Sequence, residues 1–276
     1  MKVIVAENCG FCPGVRNAIR TAEKILAEQK QVYSLGPIIH NKDVVEKLAD
    51  KGLQTVENVD QIKGGTVLIR SHGASPDQIE RLRKRGLNIV DATCVLVKRV
   101  QQIAKDLGQT GYQVVIIGDR NHPEVQAVVG CAKGVIVVAD ESDLHNLPKD
   151  GRLGVLCQTT QSPEYFGQML GVIVKYGFSE LKVINTLCKE AIKRQESAVR
   201  VCQKVDIMFI LGGLESANTR KLAELCKKYN NQTFHLQNWN EFDKKLLFGK
   251  NTAGVTAGAS TPEWIITEFV ENLKKF

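Results

Sequence analysis

Asn88-Ile89-Val90-Asp91-Ala92-Thr93-Cys94 is a short apolar strand that runs into a cysteine, and residues 96–107 after it follow a helical period. The same unit occurs twice more. Val3-Ile4-Val5-Ala6 leads to Gly10-Phe11-Cys12, and Lys182-Val183-Ile184-Asn185-Thr186-Leu187 leads to Cys188. Each gap between these cysteines holds one small α/β unit, which makes a weak internal repeat. The stretch from Lys189 onward lacks a closing cysteine-bearing strand, and the N-terminal strand is placed to supply it. The expected organisation is therefore three lobes: 14–94, 95–188, and 189–276 together with 1–13.

The rest of the chain keeps this alternation. Strands are expected at 32–35, 66–69, 113–117, 135–138, 153–156, 206–211, 233–236 and 254–256. Helices are expected at 44–51, 77–85, 163–176, 189–203, 217–229 and 262–274. Regular β/α alternation predicts an α/β fold with parallel sheets covered by helices. In such sheets ligands gather where the strands' carboxyl ends open into loops.

The bulk numbers agree. The chain has 276 residues, 43% apolar and 24% charged, which is enough to bury a core without disulfides. Its net charge of +7 is spread thinly. The basic clusters, Arg81 with Arg83 to Arg85 and Lys244 with Lys245, are short and read as solvated helix faces, not a nucleic-acid groove. No apolar run approaches the roughly 18–20 residues of a membrane span, and Met1 to Glu7 does not read as a signal peptide. The expected compartment is the cytoplasm, where disulfides are rare. Eight cysteines then need burial, metal or catalysis as their explanation.

Cys12, Cys94 and Cys188 occupy equivalent strand mouths. Three convergent thiolates suit a 4Fe–4S cluster with one iron left open. Burial as small hydrophobes and a zinc site are the competing readings. Cys9 pairs with Cys12 as C-x2-C, but no second such pair exists, so Cys9 reads as a bystander. Cys131, Cys157, Cys202 and Cys226 read as core residues.

The other strand mouths are polar. They are Gly36-Pro37-Ile38-Ile39-His40-Asn41, Arg70-Ser71-His72-Gly73, Gly118-Asp119-Arg120-Asn121-His122-Pro123-Glu124, Gln158-Thr159-Thr160, Leu214-Glu215-Ser216-Ala217-Asn218 and Thr256-Ala257-Gly258-Ala259-Ser260-Thr261. Ser75, Ser162 and Thr261 each precede a proline and read as helix N-caps. Three of the five histidines, His40, His72 and His122, stand at what reads as one equivalent point of three units, which favours a shared pocket. Ser216, Asn218 and Ser260 with His40 and His72 suit a phosphate or diphosphate held without a P-loop. No G-x-x-x-x-G-K-[ST] or G-x-G-x-x-G motif is present, which argues against an ordinary nucleotide enzyme. Glu124, beside His122, is either a first-turn acid favoured by the helix dipole or a general acid, with Thr159 or Thr160 relaying its proton.

Taken in order, these residues resemble the LytB/IspH family of 4-hydroxy-3-methylbut-2-enyl diphosphate reductases over essentially the whole chain. The likeness also runs through Asp91 to Val97, Val125, and Arg194-Gln195-Glu196. It implies three α/β lobes around a 4Fe–4S cluster on Cys12, Cys94 and Cys188. It implies a diphosphate held by His40, His72, His122, Ser216, Asn218 and Ser260, and Glu124 as proton source beside Thr159. The implied activity is a reductive dehydroxylation giving isopentenyl and dimethylallyl diphosphates, with ferredoxin or flavodoxin as electron donor. Ala217 and Ala191 stand where the family usually has hydroxyls, and Lys189-Glu190 after Cys188 is unusual for it. A relative with a cluster but another substrate, or a cluster-bearing oxidant sensor, are the alternatives. A sensor has no use for Glu124, Thr159 and the hydroxyl loops together.

Overall fold

The computed structural model describes residues 1–276. The chain opens with β1 (Lys2–Val5) and α1 (Pro13–Glu28). There follow β2 (Val32–Leu35), α2 (Lys42–Asp50), β3 (Leu53–Val56), β4 (Thr66–Ile69), α3 (Pro76–Lys84) and β5 (Asn88–Asp91). Next come α4 (Val95–Gln109), β6 (Gln113–Ile117), α5 (Pro123–Val129), β7 (Ile136–Val138), β8 (Arg152–Cys157), α6 (Pro163–Ile173) and β9 (Glu180–Val183). The last elements are α7 (Lys189–Cys202), β10 (Ile207–Leu211), α8 (Ala217–Tyr229), β11 (Thr233–Leu236), β12 (Thr252–Ala257) and α9 (Glu263–Lys274).

The twelve strands form three four-stranded sheets, ordered β3-β2-β4-β5, β7-β6-β8-β9 and β11-β10-β12-β1. Every pairing is parallel. These are the three α/β lobes, built on one strand order. The third sheet takes its last strand from the other end of the chain: β1 pairs with β12, Val5 opposite Val255. In all three sheets the cysteine follows the edge strand at the same end: Cys94 after β5, Cys188 after β9, Cys12 after β1.

The chain forms two compact units. One comprises Met1–Arg16, Ile39–Lys47 and Lys189–Phe276 and carries the sheet with β1. The other comprises Asn17–Ile38 and Leu48–Cys188 and carries the remaining two sheets.

Continuous apolar strands are what a sheet covered on both faces requires. In β6, Val114 and Ile116 pack with Val100, Ala104 and Leu107 of α4 and with Val125 and Val128 of α5. Val115 and Ile117 point the other way, against Phe166, Met169 and Ile173 of α6. In the β1 sheet, Phe209 is fully buried among Phe234, Phe242 and Phe269. Burying such a ring contributes about 1.5–3 kcal/mol.

The structure differs from expectation at β3, at the end of α6 and at Thr261. β3 was not anticipated: it is an edge strand whose Gln54 and Thr55 face solvent, so its apolar signal is faint. The helix expected over 163–176 ends at Ile173, continues as a 3-10 turn (Val174–Tyr176) and stops at Gly177, whose φ of 74° is left-handed. Ser75 and Ser162 do cap α3 and α6. Thr261 does not cap: its hydroxyl donates to the Leu211 carbonyl at 3.0 Å, and Pro262 occupies the cap position. No helix is long and apolar enough to cross a membrane.

Candidate functional site

The common strand order sorts the polar loops by place. His40, His122 and the pair Ser216 and Asn218 follow the second strand in each sheet order (β2, β6, β10). His72, Thr159 and Ser260 follow the third (β4, β8, β12). The reading of three histidines at one equivalent point is therefore corrected: His40 and His122 share a place, and His72 shares its place with a threonine and a serine. Histidine spacing alone did not reveal which strand of each lobe a loop followed.

Within the larger unit the site residues form a connected chain. Cys94 stands at the N-cap of α4, and its N–H donates to the Ser71 carbonyl at 3.0 Å. Ser71 precedes His72, and Gly73 closes that turn with φ 80°. A Cβ on Gly73 would lie 3.2 Å from Thr93 Cγ2, so glycine lets the histidine loop settle against the cysteine loop. The rings of His72 and His122 meet edge to face, centroids 5.4 Å apart. His122 caps α5: its Nδ1 accepts the Glu124 N–H at 3.2 Å. That acceptor role places the proton of a neutral ring on Nε2.

Glu124 is 2% exposed. Thr159 holds both of its oxygens: the Thr159 N–H donates to Oε1 at 2.7 Å and the Thr159 hydroxyl to Oε2 at 2.7 Å. A buried carboxyl needs such bonds, because burial without them is costly. The Thr159 carbonyl in turn accepts the Cys188 N–H at 2.8 Å. Of the two threonines it is Thr159 that touches Glu124; the Thr160 hydroxyl instead accepts from Gln158 at 3.0 Å.

In the other unit, Cys12 lies at the start of α1, where its sulfur accepts the Val15 N–H at 3.4 Å and its own N–H donates to the Ala259 carbonyl at 3.2 Å. The neighbouring Ser260 hydroxyl donates to the His40 carbonyl at 3.1 Å. Ser216 caps α8, accepting the Thr219 N–H at 3.3 Å. Two residues on, the Asn218 side-chain N–H group is buried without a hydrogen-bond acceptor. A buried donor of this kind is expensive unless a ligand completes it, and a diphosphate oxygen is a fitting acceptor.

The cysteines divide into two kinds. Cys157, Cys202 and Cys226 are buried in apolar clusters, and Cys131 packs beside one. Burial pushes the Cys131 thiol up to about 11 and the Cys9 thiol up to about 12, so both stay protonated at neutral pH. Cys12, Cys94 and Cys188 are half-buried at the starts of α1, α4 and α7. Three cysteine sulfurs of one topological kind, each at a helix start, are the donor type an iron–sulfur cluster takes.

Sequence reasoning gave no role to two parts of this site. The Ser71 carbonyl carries no side-chain signal. Arg194 lies on a helix, where a charge ordinarily reads as a solvated face, yet it is 4% exposed.

Fold and site together define a three-lobed α/β protein whose strand mouths carry cysteine, histidine, hydroxyl and carboxyl groups. The family profile described as LytB protein matches residues 3–274. A protein of Trichlorobacter lovleyi named 4-hydroxy-3-methylbut-2-enyl diphosphate reductase is 41% identical over 274 residues, covering 99% of this chain and 98% of its own. One of Geotalea daltonii with the same name is 42% identical over 275 residues, covering 99% and 97%. A solved (E)-4-hydroxy-3-methyl-but-2-enyl diphosphate reductase, described as the terminal enzyme of the non-mevalonate pathway, matches at 40% identity and TM-score 0.74, covering 100% of both chains. The E-1-hydroxy-2-methyl-but-2-enyl-4-diphosphate reductase of Plasmodium falciparum matches at 28% identity and TM-score 0.94, covering 99% of this chain and 88% of its own. The chain belongs to the LytB family.

Proposed function

We infer that this chain is the oxidoreductase its relatives' name describes, acting on 4-hydroxy-3-methylbut-2-enyl diphosphate at the last step of non-mevalonate isoprenoid synthesis. The carbon–oxygen bond of the substrate's allylic alcohol breaks, two electrons and two protons are consumed, water leaves, and isopentenyl and dimethylallyl diphosphates form. Cys12, Cys94 and Cys188 would hold a 4Fe–4S cluster, which when bound supplies single electrons and an iron free of protein ligands.

The chain's own residues do the rest. His40, His72, His122, Ser216, Asn218 and Ser260 bind the diphosphate, and the buried Asn218 donor supports that role. Holding this remote group supplies orientation at the reacting carbon. Glu124 delivers a proton, with the Thr159 hydroxyl holding its Oε2. The observation that carries the reading is this pair: one threonine binds both oxygens of a buried carboxyl and takes the Cys188 N–H on its carbonyl. It ties the proton source to a cluster ligand.

Ala191 and Ala217 are both buried. They leave Ser216, Asn218 and Ser260 as the non-histidine diphosphate contacts. The lobes divide at 14–94, 95–188, and 189–276 with 1–13. A thiolate-bound cluster fits the reducing cytoplasm. The electron donor is an acidic one-electron carrier, ferredoxin or flavodoxin, which a net charge of +7 attracts.

The test is turnover of the hydroxymethylbutenyl diphosphate by anaerobically purified protein with a chemical reductant. Formation of both five-carbon diphosphates supports the reading. A protein that keeps its iron but leaves this compound unreacted is an enzyme for another substrate or a sensor.

A further inference from the structure

Arg194 lies on α7, six residues beyond Cys188 in sequence, with 4% of its surface exposed. Taking a guanidinium that far from water is costly, and an apolar side chain would serve helix packing better. Its bonds show what the charge does. One guanidinium nitrogen, Nη1, donates to the Asn8 carbonyl at 2.9 Å and to the Ala257 carbonyl at 3.0 Å. Asn8 belongs to the loop that runs from β1 to Cys12. Ala257 ends β12 and opens the loop to Ser260.

Two further bonds run beside this one. The Cys12 N–H donates to the Ala259 carbonyl at 3.2 Å, and the Glu7 N–H donates to Ser197 of α7 at 2.9 Å. The helix that begins directly after Cys188 is thereby fastened to the loops of Cys12 and Ser260, with Arg194 bridging both. The charge also reaches the thiol of Cys9, three residues before Cys12, where its field opposes the upward push of burial.

We propose that Arg194 is a positioning residue that clamps the Cys12 loop to the Ser260 loop and lends the cluster-binding loop a buried positive charge that favours electron uptake. The inference rests on the cluster reading above and adds a role that reading does not need. Uptake of an electron adds negative charge at the cysteines. A fixed cation in a low-dielectric interior stabilises the reduced state over the oxidised one.

The test compares the parent with Arg194→Gln and Arg194→Lys, purified without air. Iron and sulfide content, the midpoint potential from a redox titration followed by visible and electron paramagnetic resonance spectra, and KM with kcat are measured. Arg194→Gln is expected to load iron but accept an electron at least about tenfold less readily, a downward shift of about 59 mV. Its kcat falls while KM holds. Arg194→Lys is expected to recover the potential yet lose iron to a chelator faster than the parent, because an ammonium does not reproduce the planar reach of a guanidinium. An Arg194→Gln protein with full iron and the parent's potential overturns the proposal. Should the glutamine variant not fold, the lysine variant decides: chelator resistance equal to the parent's overturns the clamp. A parent without iron overturns the cluster reading itself, whereas a loaded parent with unaltered variants overturns this inference alone.

Discussion

Glu124 is held at both oxygens by one threonine, whose carbonyl accepts the Cys188 N–H. Glu124→Gln preserves the shape and most of the bonding but has no acidic proton. It is expected to keep its cluster spectrum and lose about 10²–10⁴-fold in kcat; undiminished kcat would remove Glu124 from the proton path. Cys9 gives a prediction in pH. Its thiol is raised by burial from 9.0 to about 12, so between those values the folded protein keeps a proton that the unfolded chain gives up. Stability therefore falls as pH rises through this window, by about 1.4 kcal/mol per pH unit. Urea unfolding from pH 8 to 10.5 should show a shallower fall in Cys9→Ala than in the parent. Glu124 was legible in the sequence because it sits next to a histidine in a strand mouth. The choice between Thr159 and Thr160 was not, since both hydroxyls stand in the same loop and only the backbone turn decides which one faces the carboxyl.

At the scale of elements, local chemistry sets where each helix begins. Ser75 accepts the Gln78 N–H while the Gln78 side chain accepts the Ser75 N–H, a reciprocal cap. Ser75→Ala should cost about 1 kcal/mol in thermal or chemical unfolding, whereas Thr261, which caps nothing, owes its place to the Leu211 carbonyl. Gly258, between β12 and Ser260, has a different reason to be small. A Cβ there would stand 2.0 Å from Thr219 Oγ1 and 3.1 Å from Thr219 Cβ, inside α8. Gly258→Ala is expected to destabilise by about 1–3 kcal/mol and to weaken diphosphate binding, because the displaced helix carries Ser216 and Asn218. Elements with a fully buried apolar run, such as β6 and β10, were plain in the sequence. β3 was hidden because an edge strand that exposes two of its four side chains hardly differs from a loop.

Across the whole molecule, three sheets repeat one strand order, and the last of them needs β1 from the far end of the chain. The repeat of strand, cysteine and helix carried this much in the sequence, because a cysteine after an edge strand is visible without knowing the sheet. The second and third strands of each order were not distinguishable from one another, which is why His72 was grouped with His40 and His122. The repeat explains why three loops of one kind present half-buried cysteines at helix N-termini while the other five cysteines are buried or pushed toward the protonated form. The most direct measurement is the iron and acid-labile sulfide content of protein purified without air, for the parent and for Cys94→Ser. The account predicts about four iron and about four sulfide per parent chain with a broad visible absorption, and loss of that cluster in Cys94→Ser. A parent holding zinc alone, or a Cys94→Ser protein with an undiminished cluster, would contradict it.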